Sequence, residues 1–420
     1  MPFPNTPSSE RIHIGFFGMR NAGKSSLVNA VAGQELALVS PIKGTTADPV
    51  KKAMELLPLG PVVLVDTPGM DDVGPLGELR ANKALQSLNY MDVAIVTIDA
   101  SEGIREPDRK LITLLEEKSI PFLIAYNKAD LPQNRSDASG KETAMQEADR
   151  KETKDGANQN AIYVSAKTKQ NIHELKERIA SLAKGTENQK RIVADLLQPG
   201  DIVVLVTPID SSAPKGRLIL PQQQTIRDIL DAGAIATVCR EHELAHTLSA
   251  LHEKPKLVIT DSQAFGQVSR NTPAEIPLTS FSILFARYKG SLTTVVEGAA
   301  QLNRLRDGDI TLISEGCTHH RQCGDIGTVK LPAWIRKYTQ KELRFAFTSG
   351  TEFPEDLSDC SLVIHCGGCM LTEREMQYRL RHAAGCHIPI TNYGIAIAQM
   401  HGILERSLEP FPEALRILKR

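Results

Sequence analysis

Short apolar runs alternate with longer amphipathic stretches along almost the whole chain, the pattern of α/β units built on parallel sheets. In the first part the runs fall at 12–17, 62–65, 93–98, 122–126 and 162–164, with helical stretches between them and a closing helix over 171–183. The polar, glycine-containing stretch 184–190 then reads as a domain boundary. A second polar stretch, 133–160, is long for a plain loop, and its Glu, Ala, Lys and Gln content predicts a surface helix with loose ends.

From residue 201 the alternation restarts, with strands expected at 202–206, 234–238 and 257–260 and helices at 222–231 and 241–252. A third set follows residue 279: strands at 310–313, 345–347 and 362–364, helices at 281–288, 333–339 and 372–383. The expected architecture is α/β throughout, as three domains over 1–184, 185–275 and 276–420.

Composition narrows the function. Lys and Arg (49) nearly balance Asp and Glu (50), and a net charge of −1 is not the footprint of a dedicated nucleic-acid or acidic-membrane binder. No apolar run near the start is long enough for a signal peptide, and none elsewhere is long enough for a membrane span, so a cytoplasmic protein is expected. Seven cysteines without a secretory signal argue for metal binding or free thiols over a disulfide framework. Cys239 and Cys386 stand alone, whereas Cys317, Cys323, Cys360, Cys366 and Cys369 crowd into the last quarter.

The first strand runs into Gly18-Met19-Arg20-Asn21-Ala22-Gly23-Lys24-Ser25-Ser26, which fits G-x-x-x-x-G-K-[ST] in a strand–loop–helix context. Backbone N–H groups there cradle a phosphate chain, with Lys24 on the β and γ phosphates and Ser25 on Mg²⁺. Asp66-Thr67-Pro68-Gly69 ends the second apolar run, where the carboxylate holds Mg²⁺ through water and Gly69 N–H meets the γ-phosphate. Asn127-Lys128-Ala129-Asp130 follows the run at 122–126. Asp130 can accept both N1–H and the 2-amino hydrogens of guanine, a donor pair that adenine lacks, so GTP is selected over ATP. Ser165-Ala166-Lys167 closes over the base.

These motifs resemble the Ras-like GTPase domains of the TrmE–Era group, which carry Gly-Thr-Thr-Arg-Asp in the first switch. Here Gly44-Thr45-Thr46-Ala47-Asp48 keeps all but the arginine. The resemblance makes Thr46 the Mg²⁺-binding threonine, with Thr45 the fallback. Met70 stands where Ras-like enzymes carry a water-orienting glutamine, so slow intrinsic hydrolysis is expected. Asn21 stands where potassium-dependent members place an asparagine beside the phosphates. A bound K⁺ would supply the charge that an arginine finger supplies elsewhere, and an indifferent loop residue is the alternative.

The second chemical cluster is Ser314-Glu315-Gly316-Cys317-Thr318-His319-His320 together with His365-Cys366-Gly367-Gly368-Cys369, each just beyond an expected strand. In a parallel sheet that edge is where ligand crevices form. Three thiolates, with His319 or His365 as a fourth ligand, suit either tetrahedral Zn²⁺ or a 4Fe-4S cluster, and spacing leaves both open. Cys323, Cys360, His320, His382, His387 and His401 read as packing or surface residues.

The order of a GTPase domain, a middle domain, then C-x-H and H-C-x-x-C resembles the HydF family of FeFe-hydrogenase maturation scaffolds. Here 45 residues separate His319 from His365. Asp325-Ile326-Gly327-Thr328-Val329-Lys330 and Thr391-Asn392-Tyr393-Gly394 add to the similarity, which covers essentially the full chain. The resemblance implies a 4Fe-4S cluster on Cys317, Cys366 and Cys369 with one exchangeable iron position. It also implies a transient two-iron precursor received from radical-SAM maturases and passed to apo FeFe-hydrogenase, and a middle domain that makes a homodimer, with no nucleic-acid or membrane partner. The competing expectation is a TrmE–Era-like GTPase of ribosome or tRNA maturation with structural zinc.

Overall fold

The structure, a computed structural model, describes residues 6–33, 49–70, 75–131, 160–184, 190–209, 218–316, 325–350 and 352–419. Contacts divide the chain into two compact units, Met1–Asn188 and Gln189–Arg420.

In the first unit the described residues form a six-stranded sheet of β1 (Ile12–Phe17), β2 (Val50–Leu56), β3 (Gly60–Asp66), β4 (Val93–Asp99), β5 (Phe122–Asn127) and β6 (Ala161–Tyr163), in the order β2-β3-β1-β4-β5-β6. All pairs are parallel except β2 with β3. The central strand β1 is apolar over nearly its whole length because it is covered on both faces. Ile14 and Phe16 enter one core and Phe17 the other. Each such aromatic, fully buried, contributes about 1.5–3 kcal/mol. β2 was not expected from the sequence: as a mostly exposed edge strand carrying Lys51, Lys52 and Glu55, it lacks the apolar run that marks its neighbours. The expected helix at 133–160 lies almost entirely outside the described residues.

The second unit holds two parallel four-stranded sheets. One has the order β10-β9-β7-β8, from β7 (Ile202–Val206), β8 (Ile235–Cys239), β9 (Leu257–Thr260) and β10 (Leu278–Ser280). The other has the order β12-β11-β13-β14, from β11 (Ile310–Ser314), β12 (Arg344–Thr348), β13 (Cys360–His365) and β14 (Ile390–Asn392). One hydrophobic cluster takes residues from both, Val204 and Ile259 from the first and Val363 and Ile390 from the second. The division expected at 275/276 therefore falls inside a continuous core, and β10 extends the first sheet past it.

β10, β14 and the helices Phe265–Asn271, Leu292–Ala299 and Tyr393–Met400 are additions to the expected elements. The two strands are three residues each, too short to show a period. No helix among the described residues is long and apolar enough to cross a membrane.

Candidate functional site: a nucleotide pocket and a thiol turn

At the C-terminal edge of the first sheet, the loop after β1 passes through left-handed backbone at Asn21 (φ 62°) and Gly23 (φ 87°) before the helix Lys24–Ala32. Gly18 has to be glycine: a Cβ there would lie 2.2 Å from the Thr97 carbonyl oxygen. Lys24 is buried and its Nζ donates to the carbonyls of Gly18 (3.0 Å) and Met19 (2.8 Å), which holds the ammonium over the loop. Ala22 is buried in the loop, and Ser26 is half-buried in the first turn of the helix.

Ser25 Oγ donates to Asp66 Oδ2 at 2.6 Å, and the other carboxylate oxygen, Oδ1, is buried with no hydrogen-bond partner. Burial pushes the Asp66 carboxyl above its usual range, against the opposing pull of Ser25 and Lys24. A serine hydroxyl beside a buried, under-satisfied carboxylate is the donor set of a hard cation, and Mg²⁺ fits it. A Cβ on Gly69 would come within 3.1 Å of the Arg20 backbone, so the end of the Asp66–Gly69 motif lies against the phosphate loop. Met70 packs against the core cluster on that face. Thr45, Thr46, Ala47 and Asp48 lie outside the described residues.

Asn127, buried, ties the two halves of the pocket. Its Nδ2 donates to the Ala22 carbonyl (3.0 Å) while its Oδ1 accepts from Ala166 N–H (3.1 Å). Lys128, also left-handed (φ 65°), pairs with Asp99 at 2.6 Å. Asp130 accepts from Ser165 Oγ at 2.6 Å. That bond and the nearby Lys167 hold its carboxyl below the usual carboxylate range, so it meets a base as an anion. Asn21 is exposed, and its left-handed conformation is one that asparagine tolerates better than most residues. Local geometry therefore accounts for the residue type without a bound ion.

In the β12-β11-β13-β14 sheet, the register of β11 with β13 sets Ser314 opposite His365. The chain leaves both strands at the same edge, and Gly316 N–H donates to Cys366 Sγ at 3.0 Å, joined by Gly368 N–H at 3.4 Å. Hydrogen bonds of this kind stabilise a metal-bound thiolate. Of the two glycines in the turn only Gly368 is demanded by geometry: its φ is 63°, and a Cβ would lie 2.2 Å from Met376 Cε, whereas Gly367 faces open space. Burial pushes the Cys366 thiol up to about 11 and Cys369 up as well. With no metal these are protonated thiols at neutral pH, and a bound cation is what would deprotonate them. Cys317, His319, His320 and Cys323 lie outside the described residues, and among the described residues no three metal-ligating side chains converge.

His365, expected as an alternative fourth ligand, has both ring nitrogens engaged. Nδ1 meets the Cys366 carbonyl oxygen at 2.7 Å and Nε2 meets Arg379 Nη1 at 2.9 Å. An Arg donor requires an accepting Nε2, so Nδ1 carries the proton. Burial and the Arg379 charge lower the ring to about 3, which keeps it neutral. His365 in this arrangement is a strut for the turn rather than a free ligand. The helix Glu373–Gly385 that follows is capped by Thr372, with Glu373 and Glu375 in its first turn. Its positive end is thus already met by carboxylates, and it offers the thiols less than expected.

Sequence reasoning passed over three contributors. Arg379 is fully buried and bonds Glu375, Ser314, His365 and the Gly350 carbonyl. Glu315 is buried and accepts from the Tyr393 hydroxyl at 3.3 Å. Gly327 fits between them, since a Cβ there would lie 2.3 Å from Glu315 Oε1 and 2.4 Å from Tyr393 Oη. Gly327 and the Tyr393 that bonds Glu315 lie in the Asp325–Lys330 and Thr391–Gly394 segments, which converge on this edge. Cys360 is at the opposite end of β13. His242-Glu243-Leu244-Ala245-His246 has the H-E-x-x-H spacing of a zinc helix, but the helix starts only at Leu244 and Glu243 Oε1 is held by Arg240.

The class defined by fold and site is a P-loop GTPase domain joined to an α/β unit with a buried thiol turn. Family models described as the 50S ribosome-binding GTPase, the hydrogen maturase F dimerization domain and the hydrogen maturase F tetramerization domain match residues 13–128, 192–290 and 293–410. The chain belongs to the hydrogen maturase F family. Over the GTPase part it is 32% identical, across 176 residues, to the tRNA modification GTPase MnmE of Dechloromonas aromatica, covering 41% of this chain and 35% of that protein. GTPase Der of Limosilactobacillus reuteri is 31% identical over 180 residues, 41% of each chain. The chain thus spans less than half the length of these curated relatives. A solved Era structure from Aquifex aeolicus aligns at 20% identity with a TM-score of 0.36, over 54% of this chain and 93% of that one.

Proposed function

We propose that the chain is a GTP-hydrolysing scaffold that carries a 4Fe-4S cluster on Cys317, Cys366 and Cys369 and hands a two-iron precursor to apo FeFe-hydrogenase. The observation that carries this reading is the 3.0 Å bond from Gly316 N–H to Cys366 Sγ. It brings Gly316, the residue before Cys317 in the sequence, to the mouth of the Cys366-x-x-Cys369 turn, and this supports a reading in which two distant segments together supply three soft ligands. Held by three thiolates, the cluster would leave one iron open to an exchangeable ligand, which suits a carrier. With both His365 nitrogens engaged, this chain's remaining candidate for the fourth position is His319. Family resemblance supplies the radical-SAM maturases as donors of the precursor. The matched dimerization and tetramerization domains support self-association, and we assign the first step to a homodimer through the middle segment.

In the nucleotide pocket Lys24 would draw the β and γ phosphates onto the loop, Ser25 and Asp66 would hold Mg²⁺, with Thr46 assigned to the same ion by family resemblance, and Gly69 N–H would meet the γ-phosphate. Asp130→Asn removes the anion that accepts from guanine. GTP affinity is expected to fall at least tenfold, with preference moving toward the xanthosine nucleotide, as a competition assay would read. Wild-type protein that binds ATP as tightly as GTP would contradict the assignment.

With the apolar Met70 packed against the core, the side chain at that position does not orient the attacking water, and K⁺ held by Asn21 is proposed to supply the missing charge. Turnover should rise when Na⁺ is replaced by K⁺ at constant ionic strength. Equal rates, or an unchanged K⁺ response in Asn21→Ala, would leave Asn21 with the backbone role its left-handed conformation already explains.

A further inference from the structure

Two buried cations from different helices grip the cysteine turn. Arg379 acts on the Cys366 end through His365. Lys289, the last residue of the helix Phe281–Lys289, acts on the other end: its Nζ donates to the Cys369 carbonyl at 3.1 Å and the Leu371 carbonyl at 3.0 Å, and the residue is 4% exposed. Gln377 fixes the same helix end, its Nε2 donating to the carbonyls of Lys289 (3.4 Å) and Gly290 (3.0 Å). An ammonium buried in this way has given up most of its hydration, and an adjacent negative charge offsets that cost. Cys369 acquires such a charge when its thiol gives up a proton to a metal.

We propose that Lys289 is a positioning residue for the iron–sulfur site, fixing the Cys369 arm of the turn and setting a positive charge against the anionic centre. The proposal rests on the cluster reading above. Lys289 lies in the segment matched by the dimerization domain and Cys369 in that matched by the tetramerization domain, so this bond joins the two segments at the site itself. A nearby cation favours the reduced, more negative state of a cluster, so its loss makes reduction harder.

The test uses the full chain, reconstituted anaerobically, as Lys289→Gln, Lys289→Met, Lys289→Arg and a control that removes an exposed charge of the same unit, Lys254→Gln. Iron and acid-labile sulfide are counted and the reduction potential is followed by EPR. The two neutral Lys289 variants should reduce at a more negative potential than wild type and lose iron faster to a chelator, while Lys289→Arg and Lys254→Gln stay at the wild-type potential. Loss of the cluster in both neutral variants with retention in Lys289→Arg supports the same role. A neutral Lys289 variant with full iron at the wild-type potential overturns it, as does loss of the cluster in Lys289→Arg. Zinc without iron in the wild type instead removes the cluster reading beneath it.

Discussion

Cys366→Ser is expected to abolish cluster assembly while leaving GTP hydrolysis at the wild-type rate. Cys366 Sγ is the acceptor for two backbone N–H groups, and one lost thiolate of three leaves too few soft ligands to hold iron. Cys317→Ser and Cys369→Ser should behave alike. The nucleotide motifs end at Lys167, in the other compact unit, which is why hydrolysis should survive. Iron bound at wild-type stoichiometry in Cys366→Ser would remove that thiol from the ligand set.

Arg379→Met should destabilise the second unit by about 3–5 kcal/mol, the cost of breaking a buried ion pair from one side. The guanidinium is fully buried, and its loss strands the Glu375 carboxylate and withdraws a donor from His365, Ser314 and the Gly350 carbonyl at once. The only tryptophan of the chain, Trp334, packs against the core of the β12-β11-β13-β14 sheet, so its fluorescence in a urea titration reports this unit alone. An unchanged midpoint would mean that the network contributes little.

Strands buried on both faces were legible because continuous apolar runs announce them, as in β1, β4, β7 and β9. The nucleotide pocket was equally legible, since its contacts lie within short motifs at strand ends. β2 was hidden by its exposed lysines and β14 by its length. The thiol site was half legible: the cysteines stood out, but Arg379 reads as an ordinary surface arginine of an amphipathic helix until β11, β13 and the Gly350 loop are folded around it. The partners of His365 were hidden for the same reason: they lie 1 and 14 residues away, and only the fold brings the second one in.

The most direct test is a metal and sulfide count on anaerobically isolated protein, with EPR after reduction. About four irons and four sulfides per chain with a reduced-cluster signal, lost in Cys366→Ser, is the expected result. Stoichiometric zinc with no iron, unchanged in function by the cysteine substitutions, would contradict the scaffold and point to a zinc-bearing GTPase of the TrmE–Era type.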